Sequence, residues 1–144
     1  MTPQCLIRDS SFYTMKTILL VEDDPLICDI YSIALKKEGY KVGIGNSRQM
    51  ALEKMKNNHY DLLILDLNLN KNFPSPKDGL DILELMRNDP KTKNLKTIVI
   101  SNYTKSEYPE LSDLSNLGVI KYFLKVENTP EEIVNSVKEI LGDS

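Results

Sequence analysis

The chain has 144 residues, 41% of them hydrophobic and 27% charged, with a formal charge of −3 at pH 7. That length suits one domain with a real core rather than two, and an acidic balance without a Lys/Arg stripe argues against a nucleic-acid backbone as partner. The apolar runs are far too short for a membrane span, and two cysteines, Cys5 and Cys28, that match no metal spacing fit a reduced, cytoplasmic chain better than a disulfide framework.

In chain order, residues 1–15 read as an N-terminal extension outside the fold. They lack the basic start and long apolar run of a signal peptide, and Met15-Lys16 resembles a second start. The folded domain is expected over 16–142. Thr17 to Val21 makes a β-branched, apolar strand that runs into Glu22, Asp23 and Asp24. Pro25 suits the first turn of a helix that Asp24 can cap. Leu26, Ile27, Ile30, Ile33, Ala34 and Leu35 recur on it at helical spacing, and Gly39 ends it. Tyr40 to Ile44 reads as a second strand. Ser47 then caps a helix with Met50, Ala51, Leu52 and Met55, and His59, the one histidine, follows it as a loop residue.

The central stretch is Asp61 to Asn70. Leu62 to Leu65 is an unbroken apolar run, as expected of a strand covered on both faces, and it stops at Asp66. After a loop from Leu67 to Lys77, Asp78-Gly79 opens a third helix carrying Leu80, Leu83, Leu85 and Met86, which Asp89-Pro90 ends. Thr97 to Ile100 is a fourth strand, stopping at Ser101. A fourth helix is expected over 106–116, with Leu111, Leu114 and Leu117, until Gly118 breaks it. Val119 to Leu124 is a fifth strand closed by Lys125. Thr129-Pro130-Glu131-Glu132 is a capping box with proline at the first helical position, so a fifth helix starts there, with Ile133, Val134, Val137, Ile140 and Leu141 as its buried stripe.

Strands alternating with helices call for a mainly parallel α/β sheet with right-handed crossovers and helices on both faces. In such a sheet the carboxyl ends of the strands share one edge, where ligands bind. Glu22, Asp23, Asp66, Ser101 and Lys125 all fall there. Asp66 alone could equally start a turn. Three carboxylates together raise one another's pKa and invite a cation; an all-oxygen set without Cys or His points to Mg²⁺, which combines carboxylates with waters and a phosphate oxygen. Lys125 adds a movable positive charge and Ser101 a hydroxyl. The set suits a phosphoryl group on a carboxylate, with Asp66 attacking phosphorus in line. No Gly-rich phosphate loop is present, which disfavours a nucleotide site.

The residues resemble the CheY-like receiver domain of the two-component response-regulator family. The matching pieces are Leu-Val-Glu-Asp-Asp-Pro from Leu20 to Pro25, Leu-Ile-Leu-Asp-Leu from Leu63 to Leu67, Asp78-Gly79, Ile-Val-Ile-Ser from Ile98 to Ser101, and Lys-Tyr-Phe-Leu-Lys from Lys121 to Lys125. The resemblance implies a flavodoxin-like (βα)5 doubly wound sheet of five parallel strands in the order 2-1-3-4-5. It implies Asp66 as phosphoacceptor and a Mg²⁺ site made by Glu22, Asp23, Asp66 and the backbone carbonyl of Asn68. It further implies Lys125 as the phosphate-binding lysine, Ser101 and Tyr122 as the switch pair, and Asn68 and Tyr103 as the residues that govern phosphate lifetime. The implied partners are a histidine kinase or histidine phosphotransfer protein and a downstream protein that reads the face of the fourth helix, fifth strand and fifth helix. That face could also serve a homodimer.

Three departures from the family pattern stand out. The loop after Asp66 reaches its glycine late and has Asn70 where proline is common. Asn102 replaces a small residue after the switch hydroxyl. Val126 replaces the proline that usually follows the lysine, where a cis bond would cost about 3 kcal/mol, so a trans bond or a strained loop is expected there. The expected function is a stand-alone receiver that catalyses only its own phosphorylation and dephosphorylation. The alternatives are a receiver-like adaptor that is never phosphorylated and an aspartate-nucleophile phosphatase. The phosphatase needs an acid two residues after the nucleophile, where this chain has Asn68.

Overall fold

A computed structural model describes residues 15–70 and 72–142. The expectation about residues 1–14, and Cys5 with it, falls outside the described residues. Five strands, β1 (Thr17–Val21), β2 (Lys41–Gly45), β3 (Leu62–Asp66), β4 (Lys96–Ser101) and β5 (Val119–Leu124), pair in parallel in the order β2-β1-β3-β4-β5. This is the doubly wound order that the family resemblance implies. Helices α1 (Pro25–Lys37), α2 (Arg48–Asn57) and α3 (Lys77–Arg87) and a 3-10 helix at Pro109–Leu117 fill the four crossovers, and α4 (Pro130–Leu141) follows β5.

Two apolar layers sandwich the sheet. Leu63, Leu65 and Val99 pack with Ala51 and Met55 of α2, Ile82, Leu83 and Met86 of α3, and Leu111 and Leu114 of the 3-10 helix. Leu62, Ile64, Ile98 and Ile100 pack with Cys28, Tyr31 and Leu35 of α1 and Ile133, Val134 and Val137 of α4. Alternation along each strand sends successive side chains to opposite layers. All of β3 is buried, so its end, Asp66, is fixed at the edge of a fully covered strand. No helix among the described residues is long and apolar enough to cross a membrane.

The start signals behave as their chemistry predicts. Asp24 caps α1 by accepting from the Leu26 N–H at 2.9 Å, Ser47 caps α2 through the Met50 N–H, and Thr129 and Glu132 form the reciprocal capping box of α4. At α3 the expectation is corrected: the helix begins at Lys77 without a side-chain cap, and Asp78 and Gly79 lie inside its first turn. β2 starts one residue later than predicted, at Lys41.

Two larger corrections concern the helices. α1 buries Cys28, Tyr31, Ser32 and Leu35, whereas Leu26 and Ile33 are 67% and 62% exposed and Ile30 is exposed as well. The helix carries two apolar stripes, and periodicity alone cannot choose between them. Cys28 and Tyr31, the less obvious pair, face the sheet. The same limit applies to Leu85 of α3, which is exposed while Ile82 is buried, and to Met50 of α2.

The predicted fourth helix is the shorter 3-10 helix, with Asp113 outside helical dihedrals. Pro109 supplies no N–H, and the Ser, Asp and Asn side chains that follow compete for backbone hydrogen bonds. Leu111, Leu114 and Leu117 recur every third residue, which stacks them on one face of a three-residue turn. Gly118 ends the segment at φ +83, a left-handed conformation that favours glycine.

Candidate functional site

The carboxyl edge of the sheet holds a cleft of about 250 Å³ lined by Glu22, Asp23, Asp66, Asn68, Asn102, Tyr103 and Lys125, among others. Asp66 closes β3 at 3% exposure, and Glu22, just past β1, is 1% exposed. Lys125, just past β5, bridges the two: its Nζ donates to Glu22 Oε1 at 2.8 Å and to Asp66 Oδ2 at 2.9 Å. Burying two carboxylates is costly unless their charge is matched, and this ammonium is the match. Its backbone is held in turn, since the Lys125 N–H donates to the Ser101 carbonyl at 2.9 Å.

The remaining carboxylate oxygens are oriented by the chain that carries them. Glu22 Oε2 accepts from the N–H groups of Asp23 and Asp24 at 3.1 and 3.3 Å, and Asp66 Oδ1 accepts from the Asn68 N–H at 3.1 Å. Burial and the neighbouring Asp66 charge push the Glu22 carboxyl above its usual range, with Lys125 opposing them. For Lys125, burial by itself would lower the pKa, but the Asp66 and Glu22 carboxylates more than offset it and raise it. Oxygens of Glu22, Asp23 and Asp66 lie within 4.8 Å of one another. A donor set of carboxylates without nitrogen or sulfur fits a hard divalent cation.

Of the predicted site residues, the fold thus gathers Glu22, Asp23, Asp66, Asn68, Tyr103 and Lys125 around one cleft. Ser101 and Tyr122 sit behind it. Ser101 is fully buried and its Oγ accepts from the Tyr103 N–H at 3.0 Å. Tyr122 Oη donates to the Tyr103 carbonyl and lies beside the Ser101 hydroxyl. Tyr103 turns its ring edge-on to Tyr108, with centroids 5.0 Å apart. Asn102 lines the cleft as the departure at that position suggests, and no cis peptide occurs among the described residues, so the Lys125–Val126 bond is trans as expected.

Three supporting residues escaped sequence reasoning. Cys28 donates its thiol to the Glu22 carbonyl at 3.2 Å from the buried side of α1. Gly79 brings α3 against the chain just past Asp66: its N–H donates to the Leu67 carbonyl at 3.1 Å, and a Cβ there would lie 2.5 Å from Leu67 Cα. The motif Asp78-Gly79 was the available signal, but it reads as a helix start rather than as a close approach. Tyr108, the partner of Tyr103, had no signal at all.

The late-closing loop after Asp66 is ordered locally by its asparagines. Leu67 and Leu69 point into the core while Asn68 Oδ1 accepts from the Asn70 N–H and Asn70 Oδ1 from the N–H groups of Asn72 and Phe73. Successive Asx turns of this kind let an extended segment leave the site without a ladder partner.

Comparison with known proteins gives a consistent result. The family model for the response regulator receiver domain matches residues 18–138. The transcriptional regulatory protein MalR of Bacillus subtilis is 30% identical over 113 residues, covering 77% of this chain and 44% of that protein. The response regulator ArlR of Staphylococcus haemolyticus is 30% identical over 127 residues, covering 88% and 53%. The chain therefore spans about half the length of these curated relatives. Among solved structures, a CheY-like receiver domain protein from Methanospirillum hungatei superposes with a TM-score of 0.75 at 28% identity, covering 90% of this chain and 96% of that one. The response regulator TrrA of Thermotoga maritima, solved in complex with Mg²⁺-BeF, superposes at 0.68 with 31% identity, covering 88% and 99%.

Proposed function

The chain belongs to the response regulator receiver domain family, and from that premise we propose that it accepts a phosphoryl group on Asp66 from a phosphohistidine of a histidine kinase or histidine phosphotransfer protein. It then signals through phosphorylation-dependent contact with a protein target. The observation that carries this reading is the buried Glu22–Lys125–Asp66 bridge, which presents a strand-end carboxylate to an open cleft with a cation already at its side.

In the reaction, an Asp66 oxygen attacks phosphorus as the donor's P–N bond breaks and the imidazole leaves with the electron pair. Lys125 stays beside the acceptor and offsets negative charge spreading over the transferring oxygens. Ser101 Oγ, which accepts from the Tyr103 N–H and lies beside the Tyr122 hydroxyl, would turn its hydrogen from Tyr122 to a phosphoryl oxygen. Asp23, Asp66 and the Asn68 carbonyl, with Glu22 in the same acidic cluster, would hold Mg²⁺, whose charge supplies electrostatic stabilisation for the phosphoryl group. Apart from its own phosphorylation and dephosphorylation, the chain needs no turnover of substrate.

The signal leaves through the surface of the 3-10 helix, β5 and α4, which is also where a homodimer would form. Phosphorylation shifts an existing equilibrium through Ser101 and Tyr122 with a coupling of roughly 1–3 kcal/mol. Incubation with a small phosphodonor and Mg²⁺ followed by intact mass measurement tests the central step. Wild type gains one phosphoryl group and Asp66→Asn gains none; a wild type that stays unmodified sinks the reading in favour of a fixed adaptor.

A further inference from the structure

The segment between β4 and the 3-10 helix is held from both ends by one residue. The Tyr103 N–H reaches Ser101 Oγ and the Tyr103 carbonyl receives Tyr122 Oη, so the two residues proposed as the switch pair meet on a single stretch of backbone. The same residue carries a ring packed against its neighbours. Tyr103 meets Tyr108 at an interplanar angle of 77°, the edge-to-face geometry that the ring quadrupoles favour, and both rings pack with Tyr122 on the same apolar layer.

Tyr108 is itself anchored. Its N–H donates to the Thr104 carbonyl at 3.0 Å and its carbonyl accepts from the Leu111 N–H at 2.9 Å, which joins it to the 3-10 helix. Glu107 closes the turn beneath it by accepting from both the N–H and the hydroxyl of Thr104, each at 3.0 Å. One feature opposes the arrangement: Tyr103 Oη is buried with no hydrogen-bond partner among the described residues. An orphaned hydroxyl disfavours the conformation that buries it.

We infer that Tyr108 is a positioning residue: through the ring of Tyr103 it holds the backbone that ties Ser101 to Tyr122, so that Tyr122 is turned inward before any phosphoryl group reaches Asp66. The inference rests on the reading of Ser101 and Tyr122 as the switch pair. It makes this receiver one whose readout residue is pre-set by an aromatic clasp, and the clasp and the orphaned hydroxyl pull the equilibrium in opposite directions. Loss of an edge-to-face pair alters such an equilibrium by about two- to tenfold.

The test uses the full chain labelled with 3-fluorotyrosine and followed by ¹⁹F NMR without phosphodonor or metal, with the Tyr122 signal assigned by Tyr122→Phe. Broadening by a soluble paramagnetic chelate reports its exposure. Wild-type Tyr122 is expected to be protected. Tyr108→Ala should expose it about two- to tenfold more, Tyr108→Phe should restore protection, and Tyr103→Phe, which removes the orphaned hydroxyl, should protect it further. An unchanged Tyr122 signal in Tyr108→Ala overturns the inference. So does a Tyr108→Ala protein in which every tyrosine signal moves together, since that is general loosening. Addition of Mg²⁺ and beryllofluoride forms a separate arm, in which Tyr122 shifts further inward in both proteins and by the larger amount in Tyr108→Ala. If neither protein binds beryllofluoride, the phosphoacceptor reading fails while the metal-free comparison still decides the role of Tyr108.

Discussion

Replacing Lys125 with methionine shortens the side chain by one atom and removes the charge that Glu22 and Asp66 share. Both carboxylates are almost fully buried and each has a Lys125 hydrogen bond of 2.8 or 2.9 Å. Removing one partner of a buried ion pair typically costs about 3–5 kcal/mol. Here the loss has a ceiling, because the folded protein can take up a proton instead. Glu22 is the group that takes it, since burial and Asp66 already raise its pKa and Lys125 is what opposes them. From an unfolded-state pKa of 4.5, binding one proton at pH 7.5 costs about 4 kcal/mol, and at pH 6 about 2 kcal/mol.

The sign follows from linkage. A carboxyl whose folded pKa is raised contributes stability below its unfolded pKa and loses it as pH rises through the folded value. The Lys125→Met deficit should therefore be small near pH 4.5 and grow by about 1.4 kcal/mol per pH unit above it. Urea unfolding followed by circular dichroism at pH 6.0 and 7.5, in chelator, measures it. Glu22→Gln in the same background should flatten the dependence. A variant as stable as wild type at pH 7.5, or a deficit equal at both pH values, would refute the proposed charge balance.

Gly79→Ala should destabilise the domain by about 1–2 kcal/mol in the same assay, because overpacking of a Cβ 2.5 Å from Leu67 Cα outweighs the gain in helix propensity. It should also weaken Mg²⁺ binding measured by calorimetry, since Leu67 lies between Asp66 and Asn68; unchanged stability and affinity would show that α3 adjusts freely. The Cys28 thiol, pushed up to about 11 chiefly by burial and then by Glu22, should react with iodoacetamide at pH 8 a few hundredfold more slowly than an ordinary thiol. Intact mass of a Cys5→Ser variant reads this directly, and rapid alkylation of the folded protein counts against the burial of that α1 face. Tyr103 and Asn68 line the cleft beside Asp66, so the aspartyl phosphate should be lost slowly in wild type and faster in Tyr103→Ala; an equal or longer lifetime in the variant rejects a shielding role.

The parts of the fold that could be read in the sequence are those where one residue type has one physical solution. A covered apolar run stopped by a carboxylate, as at Leu65-Asp66, has few homes other than a strand end, and Thr129-Pro130 with Glu132 has few other than a helix start. The parts that could not be read are those where the sequence offers two solutions. α1 is apolar on two sides, and only the packing of Tyr31 and Leu35 against the sheet selects one. Leu111, Leu114 and Leu117 fit a loose α-helix or a 3-10 turn, and Pro109 and Asp113 decide between them. In the site, residue chemistry identified Asp66, Asp23 and Lys125 as candidates. The supporting residues, Cys28 on the Glu22 carbonyl, Gly79 against Leu67 and Tyr108 against Tyr103, depend on how the elements pack, which spacing does not encode.

Strand alternation also explains how a reaction at one carboxylate can be sensed elsewhere. Asp66 continues the face of Ile64, on the α1 and α4 layer, whereas Ser101 continues the face of Val99, on the layer of the 3-10 helix. The proposed acceptor and the proposed switch pair therefore belong to opposite sides of the sheet and meet at its carboxyl edge, where the strands end and backbone can cross between layers. Tyr103 lies at that crossing, its backbone in hydrogen bonds to Ser101 and Tyr122 and its ring on the 3-10 side. β5 is one of the two edge strands, flanked by the 3-10 helix on one side and α4 on the other. A sub-ångström movement of Ser101 toward Asp66 must then be taken up by the Tyr103 segment and by Tyr122, since the packed core on either side does not deform continuously. The surface around β5 is where such a movement emerges, which is why that surface, rather than the cleft itself, is where a partner would read the state of Asp66.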